Sequence, residues 1–432
     1  MSKRFENSLW FRNLRFGMFI HWGLYAIAAK GEWIKSIQKI PDEDYDQYFE
    51  MFDPVDFDAH NWAKCAKEAG MKYAVLTAKH HDGFCLFDSK LTDYKITNTK
   101  LKKDVVKEFL DAFRAQGLKV GLYYSLLDWR HEHYPAYKDP FHPMRDNPKY
   151  DTPRDFSKYL DYMHAQVKEL VSNYGKIDLM WLDFSYDQYR GEYWRASELV
   201  KMIRNYQPEI LINSRLDASG ENLGGIMSQN PEIFSGDFAC PEQLMPPQAL
   251  KNEAGEHVPW EICVSMNESW GYNSADKNYK SADLIIKKLT EAVSKGGNMI
   301  LNVGPDARGN IPQECIQILQ KIGGWLKVYG ESIYGCTDSG LPKPEWGRYT
   351  KKDNIIFAHI YERPIGPLLF PSIDRKDIQK IIMLDDFSEL NIMTEWVATN
   401  YPQYTFVDIA PSKYKDITVL KIELKNQTGK EQ

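Results

Sequence analysis

A (β/α)8-like barrel followed by a small C-terminal antiparallel β-sandwich is the fold that the sequence predicts. Three observations point to it. Between about residues 16 and 335, short apolar runs alternate with amphipathic runs. The apolar runs are continuous, which marks parallel strands buried on both faces and covered by helices. After about residue 340 the texture changes to short β-like runs broken by Pro, Asp, Asn and Lys, the pattern of a small antiparallel domain. The expected division is a barrel over residues 1–338 and a sandwich over 339–432.

The strands read in order as "FGMFIHWG", "MKYAVLTAKHH", "LKVGLYYSLLDW", "KIDLMWLDFSYD", "EILINSR", "WEICVSMN" and "NMILNVGPD". Helices lie between them. "DVVKEFLDAFRAQG" has Asp104 placed as N-cap and Gly117 just past the end. "SADLIIKKLTEAVSKGG" has Ser281 as N-cap, and "DFSKYLDYMHAQVKELVSNYG" is built alike. About eight such units over roughly 320 residues suit a closed barrel better than an open sheet. No phosphate-binding GxGxxG or GxxxxGK(S/T) follows a strand, so a nucleotide site is not expected.

The 432 residues are 43% hydrophobic and 26% charged, ordinary for a globular protein. A formal charge of −6 gives no reason to expect nucleic acid or an anionic membrane as partner. The aromatic fraction of 13%, with 12 Trp and 26 Tyr, supplies core and also platforms for a sugar face. The six cysteines show no CxxC spacing. The first residues lack an apolar signal core and no stretch is long enough to span a bilayer, so a reducing, cytoplasmic protein with free thiols is expected.

In a barrel of this kind the reactive residues sit just after the strands, at one mouth. Those positions hold His21 and Trp22, His80 and His81, Tyr123 and Tyr124, Trp181 and Asp183, Arg215, and Trp260 with Glu261. Polar and aromatic groups at so many strand ends suggest a site for a polar, ring-shaped ligand. Neighbouring strand residues point to opposite faces, so one of His80 and His81 could pack structurally while the other meets ligand. Asp183 ends an apolar strand, where an ionised carboxylate is costly unless paired or used. Arg215 is a natural partner for it. Asp178, Asp187 and Asp217 read as solvated flank residues. The pattern His131-Glu132-His133 sits in a polar, Pro-rich segment with no third ligand at recognisable spacing, so neither metal nor cofactor is expected. Glycosidic hydrolysis needs two carboxyls. Asp183 suits the first; the second stays open among Glu32, Asp237, Glu242, Glu261 and Glu268.

Eight stretches together resemble glycoside hydrolase family 29, the α-L-fucosidases: "GMFIHWGLYA" with a following "GEW", "AKHHDGFCLFDS", "GLKVGLYYSLLDW", "MWLDF", "INSR", "GDFACPE", "PWEICVSM" and "GGNMILNVGPDARGNIP". They run in family order over nearly the whole barrel. The resemblance implies a retaining exo-hydrolase of terminal α-L-fucosyl groups. It implies Asp183 as nucleophile and Glu242 as acid/base, with an apolar setting to keep Glu242 protonated. It implies His21, Glu32, Trp33, His80, His81, Tyr123, Trp181 and Arg215 as the sugar-binding shell. The implied partner is a fucosylated oligosaccharide, and a homo-oligomer is compatible with the sequence. One departure stands out: many relatives have Gly soon after the nucleophile, where this chain has Phe184, Ser185 and Tyr186, residues placed to reshape the leaving-group side. The alternatives are a hydrolase of a related α-galactosyl or α-arabinosyl unit, a catalytically dead sugar-binding barrel, and a metal-dependent hydrolase. Retention of Asp183, Arg215 and Glu242 argues against the dead barrel.

Overall fold

The computed structural model describes residues 6–218 and 223–425. Seven parallel strands form one curled sheet: β1 (Phe16–Ile20), β2 (Tyr73–Lys79), β3 (Lys119–Ser125), β4 (Leu179–Asp183), β5 (Leu211–Ile212), β6 (Glu261–Ser265) and β7 (Asn298–Val303). Their order is β5-β4-β3-β2-β1-β7-β6. Between β5 and β6 an extended segment, 237–243, takes the place of an eighth strand. It is held by single parallel bridges, Asn213 with Phe238, Ala239 with Trp260 and Glu242 with Cys263. Backbone hydrogen bonds reinforce them, among them Asp237 N to Ile212 O at 2.7 Å and Glu261 N to Ala239 O at 2.9 Å. This irregular rung carries one of the candidate carboxylates to the mouth.

Strand alternation sorts the side chains into two apolar layers. Phe19, Tyr73, Val75, Tyr123, Leu179, Trp181, Cys263 and Ile300 fill the barrel interior, with Phe11 packed among them. Met18, Leu76, Leu122, Met180 and Leu301 point outward into a larger core shared with the helices. Among the described residues the helices of ten residues or more are Asp42–Met51, Ala59–Glu68, Val105–Ala115, Phe156–Asn173, Ala196–Tyr206, Ala282–Ser294 and Gln313–Tyr329. Asp104, Asp155 and Ser281 cap their helices as the sequence predicts, each side chain accepting from a backbone N–H. Gly117 follows with φ +72°, the left-handed geometry a helix end asks of glycine.

The C-terminal strands are β8 (Gly347–Lys352), β9 (Ile355–Ile360), β10 (Leu368–Phe370), β11 (Ile378–Met383), β12 (Thr405–Val407) and β13 (Thr418–Leu424). They form a four-stranded antiparallel sheet, β11-β13-β9-β8, and a two-stranded one, β10-β12. The two share one core built on Trp346, Phe370, Ile381, Val407 and Leu420.

Three expectations are corrected. Glu261 is the first residue of β6, not a mouth residue. It lies fully buried inside the barrel, where Trp181 Nε1 donates to it at 3.2 Å and the Tyr73 hydroxyl reaches it from across the barrel. The Tyr73 ring passes so close to Gly17 that a Cβ there would sit 2.3 Å from it. Asp178 is buried, not solvated, because Lys119 pairs with it at 2.9 Å and Val120 N donates to it at 3.0 Å. Asp217 is half-buried and accepts from Gly225 N at 2.6 Å; Asp187 is exposed as expected.

Behind the mouth, Lys79 and Asp128 form a fully buried ion pair at 3.0 Å that ties the end of β2 to the loop after β3. Removing one member of such a pair costs about 3–5 kcal/mol, because the other charge is left buried. Asp128→Ala is therefore expected to lower urea-unfolding stability by about that amount; a loss within experimental error would contradict the assignment. Glu261 gives a second test. Burial, only partly offset by Tyr73 and Trp181, raises its carboxyl from 4.5 to about 8. The folded state then holds that proton more tightly than the unfolded chain does. The associated stability is complete below pH 4.5 and is lost as pH rises through about 8. Glu261→Gln is expected to show a stability advantage over wild type that is absent at low pH and grows across that window; a pH-independent difference would refute the buried neutral acid.

Candidate active site

At the C-terminal ends of the strands lies a small pocket of about 50 Å³ that opens to solvent. All ten residues singled out by the resemblance line it: His21, Glu32, Trp33, His80, His81, Tyr123, Trp181, Asp183, Arg215 and Glu242. Phe19, Phe184, Cys263 and Trp270 complete the wall. Phe19 and Cys263 follow from inward alternation along β1 and β6. Trp270 stands on an irregular loop after β6, which no periodicity marks.

Arg215 organises the charges. It lies in a turn, Ser214–Leu216, that cuts β5 short at two residues and aims the side chain into the barrel. One terminal nitrogen donates to Asp183 Oδ1 at 2.8 Å and the other to Glu242 Oε2 at 2.7 Å. Its guanidinium also lies 5.1 Å from the centre of the Trp181 ring. The Tyr123 hydroxyl donates to Asp183 Oδ2 at 2.9 Å, so both oxygens of that carboxylate are held. Burial alone would raise the Asp183 carboxyl. Arg215, with the Tyr123 hydroxyl, overcomes burial and brings it below the ordinary carboxylate value.

The two adjacent histidines both line the pocket. β2 ends at Lys79 after an irregularity in its pairing with β3, and the chain turns there, with Gly83 N donating to His80 O at 3.1 Å. Strict alternation therefore stops before the pair. His80 stacks on Tyr123 with centroids 5.6 Å apart and packs 4.1 Å from His81. Burial lowers all three imidazoles: His21 to about 4, His81 to about 3, and His80 well below the usual value. They are neutral at physiological pH. At the ends of β1 and β3 one partner of each adjacent pair turns away. Trp22 and Tyr124 face the helix layer, with Trp22 Nε1 bonded to Asp306 O at 2.8 Å and the Tyr124 hydroxyl to Gln166 at 2.8 Å.

Of the five carboxyls left open by the sequence, only Glu32 and Glu242 reach the pocket. Asp237 is taken by Arg204 at 2.8 Å, Glu261 is inside the barrel, and Glu268 is exposed. Glu32 is buried, accepts from Gly271 N at 2.7 Å, and has its carboxyl raised, chiefly by burial. The Glu242 side chain remains 31% exposed. The expected apolar setting for Glu242 is not found, since its nearest partner is the Arg215 cation. Phe184, directly after Asp183, has φ +87°, a conformation unusual for a side chain of that size. It packs against Trp33, His81, Phe141 and Tyr186, with centroids 4.8–5.7 Å away. His131 packs on Tyr162 away from this wall. Among the described residues no group of three or more His, Cys, Asp or Glu is arranged to hold a metal ion.

The α-L-fucosidase family profile matches residues 2–331. Among solved structures, α-L-fucosidase isoenzyme 1 from Paenibacillus thiaminolyticus is similar at 53% identity and a TM-score of 0.95, covering 98% of this chain and 100% of that one. A family 29 α-L-fucosidase from Bacteroides thetaiotaomicron, captured as a covalent intermediate with 2-fluoro-fucosyl fluoride, is similar at 28% identity and a TM-score of 0.83, covering 97% and 96%. Human plasma α-L-fucosidase is 29% identical over 394 residues, 84% of this chain and 77% of that protein. By its fold, its pocket and these matches, the chain belongs to the α-L-fucosidase family, glycoside hydrolase family 29.

Proposed function

We propose that this protein is a retaining exo-α-L-fucosidase that removes terminal fucosyl groups from oligosaccharides or glycoconjugates. Asp183 is the nucleophile and Glu242 the acid/base. His21, Glu32, Trp33, His80, His81, Tyr123, Trp181 and Arg215 form the sugar-binding shell. The observation that carries this reading is the sharing of one buried guanidinium by Asp183 and Glu242. The related-sugar and dead-barrel alternatives are not favoured by the family match.

The chemistry proceeds in two displacements. Asp183 attacks the anomeric carbon while the bond to the leaving oxygen breaks and Glu242 delivers its proton to that oxygen. The fucosyl group is now an ester of Asp183, and Glu242 has become a carboxylate. Glu242 then takes a proton from water as the water oxygen attacks the same carbon, which frees Asp183 and leaves the configuration retained. One negative charge is present on the pair throughout, first on Asp183 and then on Glu242. Arg215, with one arm on each, balances it in both stages without moving. Glu242 suits the acid role better than Glu32 because the leaving group exits towards solvent, and Glu242 is the more exposed of the two.

Neutral imidazoles both donate and accept hydrogen bonds and so suit sugar hydroxyls. The indoles of Trp33, Trp181 and Trp270 offer apolar faces to the side of the sugar that carries few hydroxyls. The catalytic unit is assigned to residues 1–338 and the β-rich unit to 339–432. A cytoplasmic setting is supported by the six unpaired cysteines; no helix among the described residues is long and apolar enough to cross a membrane.

Two variants test the roles. Asp183→Ala is expected to abolish release of phenol from an aryl α-L-fucoside, with azide restoring part of it as the β-linked fucosyl azide. Glu242→Ala is expected to lose about 10²–10⁴-fold on substrates with a poor leaving group, and much less on an activated aryl fucoside; there azide yields the α-linked product. The opposite anomer from either variant would exchange the assignments.

A further inference from the structure

Behind the pocket wall lies a set of polar side chains that the two displacements do not use. Asn302, on β7, donates from Nδ2 to Trp270 O at 2.6 Å. That bond fixes the amide, so its oxygen faces His21 Nδ1, 2.6 Å away. An amide oxygen only accepts. His21 therefore carries its proton on Nδ1, and its Nε2 holds a bare lone pair. On the other side of the pocket, Ser125 ends β3. Its hydroxyl donates to Leu127 O at 2.9 Å and accepts from Leu127 N at 3.0 Å. With its only proton committed, the Ser125 oxygen faces His81 Nδ1 at 2.6 Å as an acceptor. With the Ser125 proton on Leu127 O, His81 carries its own proton on Nδ1. Burial holds both rings neutral, so no second proton sits on either Nε2. His80 has no such support: its Nδ1 is buried and has no hydrogen-bond partner among the described residues.

We propose that Asn302 and Ser125 are positioning residues that lock His21 and His81 as Nδ1–H tautomers, so that the pocket meets two sugar hydroxyls with lone pairs alone and reads them as hydrogen-bond donors. This rests on the reading above that both imidazoles touch the sugar. The selectivity it implies is chemical: a hydroxyl satisfies each Nε2, whereas fluorine or an ether oxygen at the same place sets two acceptors against each other. Asp183 on β4, which favours imidazolium at His21, and Arg215 in the turn after β5, which opposes it, are the charged groups that influence that ring. His80 and Tyr123 lie against it with centroids 5.6 Å away.

The test is nitrogen NMR of the full chain labelled at histidine, with signals assigned by their loss in His21→Phe and His81→Phe. The expected spectrum shows a protonated Nδ1 and a pyridine-type Nε2 for both rings, and added L-fucose shifts both Nε2 signals. An Nε2–H signal from either ring in the free protein overturns the lock at that ring. An intact Nδ1–H pattern with Nε2 unmoved by fucose leaves the lock standing and removes the sugar contact. Asn302→Leu is expected to redistribute the His21 proton and lower kcat/KM at least about tenfold. Asn302→Asp keeps an acceptor for Nδ1–H but sets its second oxygen against Trp270 O, so it recovers activity only in part, and it moves the acid limb of kcat/KM up by about one pH unit or more, because a carboxylate on Nδ1–H favours imidazolium. Activity lost equally in both variants, with no movement of the acid limb, would reduce Asn302 to a structural residue.

Discussion

One buried cation shared by two carboxyl groups is the constraint around which this barrel mouth is arranged. Arg215 is almost wholly out of water, at 3% exposure. A guanidinium there is tolerable only if its charge is answered close by. Asp183 and Glu242 answer it, one on each terminal nitrogen. The consequence runs both ways. The arginine keeps Asp183 ionised against the burial that would neutralise it, and the carboxylates hold the arginine fixed between β4 and the irregular rung beside β6. A reaction that moves one negative charge from the first carboxylate to the second then has its counter-charge already in place, with no reorganisation required.

The surrounding fold serves that geometry. A regular eighth strand would alternate its side chains in register with β5 and β6. The single-bridged segment 237–243 instead lets Glu242 stand beside Cys263 and reach Arg215. On the opposite side, the buried Lys79–Asp128 pair and the bond from Trp129 N to His81 O at 2.9 Å fasten the turn that presents both histidines. The loop after β6 closes over Glu32 through Gly271 N and over Asn302 through Trp270 O. The pocket is therefore assembled from several strand ends and two clamped loops, which suits a ligand that needs fixed polar partners on several sides.

How much of this was legible in the sequence depends on the physical signal. The strands and helix caps were plain because continuous apolar runs and N-cap residues act locally. The mouth residues followed from their place after the strands, and the ten pocket residues followed from the family resemblance. Glu261 was misplaced because "WEICVSMN" does not show where its pairing begins; the structure starts β6 at Glu261 itself. Trp22 and Tyr124 follow their inward neighbours in the chain, yet alternation alone turns them to the helix layer. For His80 and His81 alternation gave the wrong guide, since the strand stops one residue earlier. Trp270, Asn302 and Ser125 were silent because their roles arise from contacts between distant segments. The apolar surroundings expected for Glu242 gave way to Arg215, a pairing that needs the closed ring to exist.

In the proposed mechanism Asp183, held by Arg215 and Tyr123, takes the fucosyl group. The most direct test is to incubate the protein with 2-fluoro-fucosyl fluoride, digest it, and map the adduct by mass spectrometry. One 2-fluoro-fucosyl group per chain is expected, on the peptide containing Asp183, with loss of activity in step with labelling. Stable labelling of a different carboxylate, Glu32 or Glu242 included, would contradict this role.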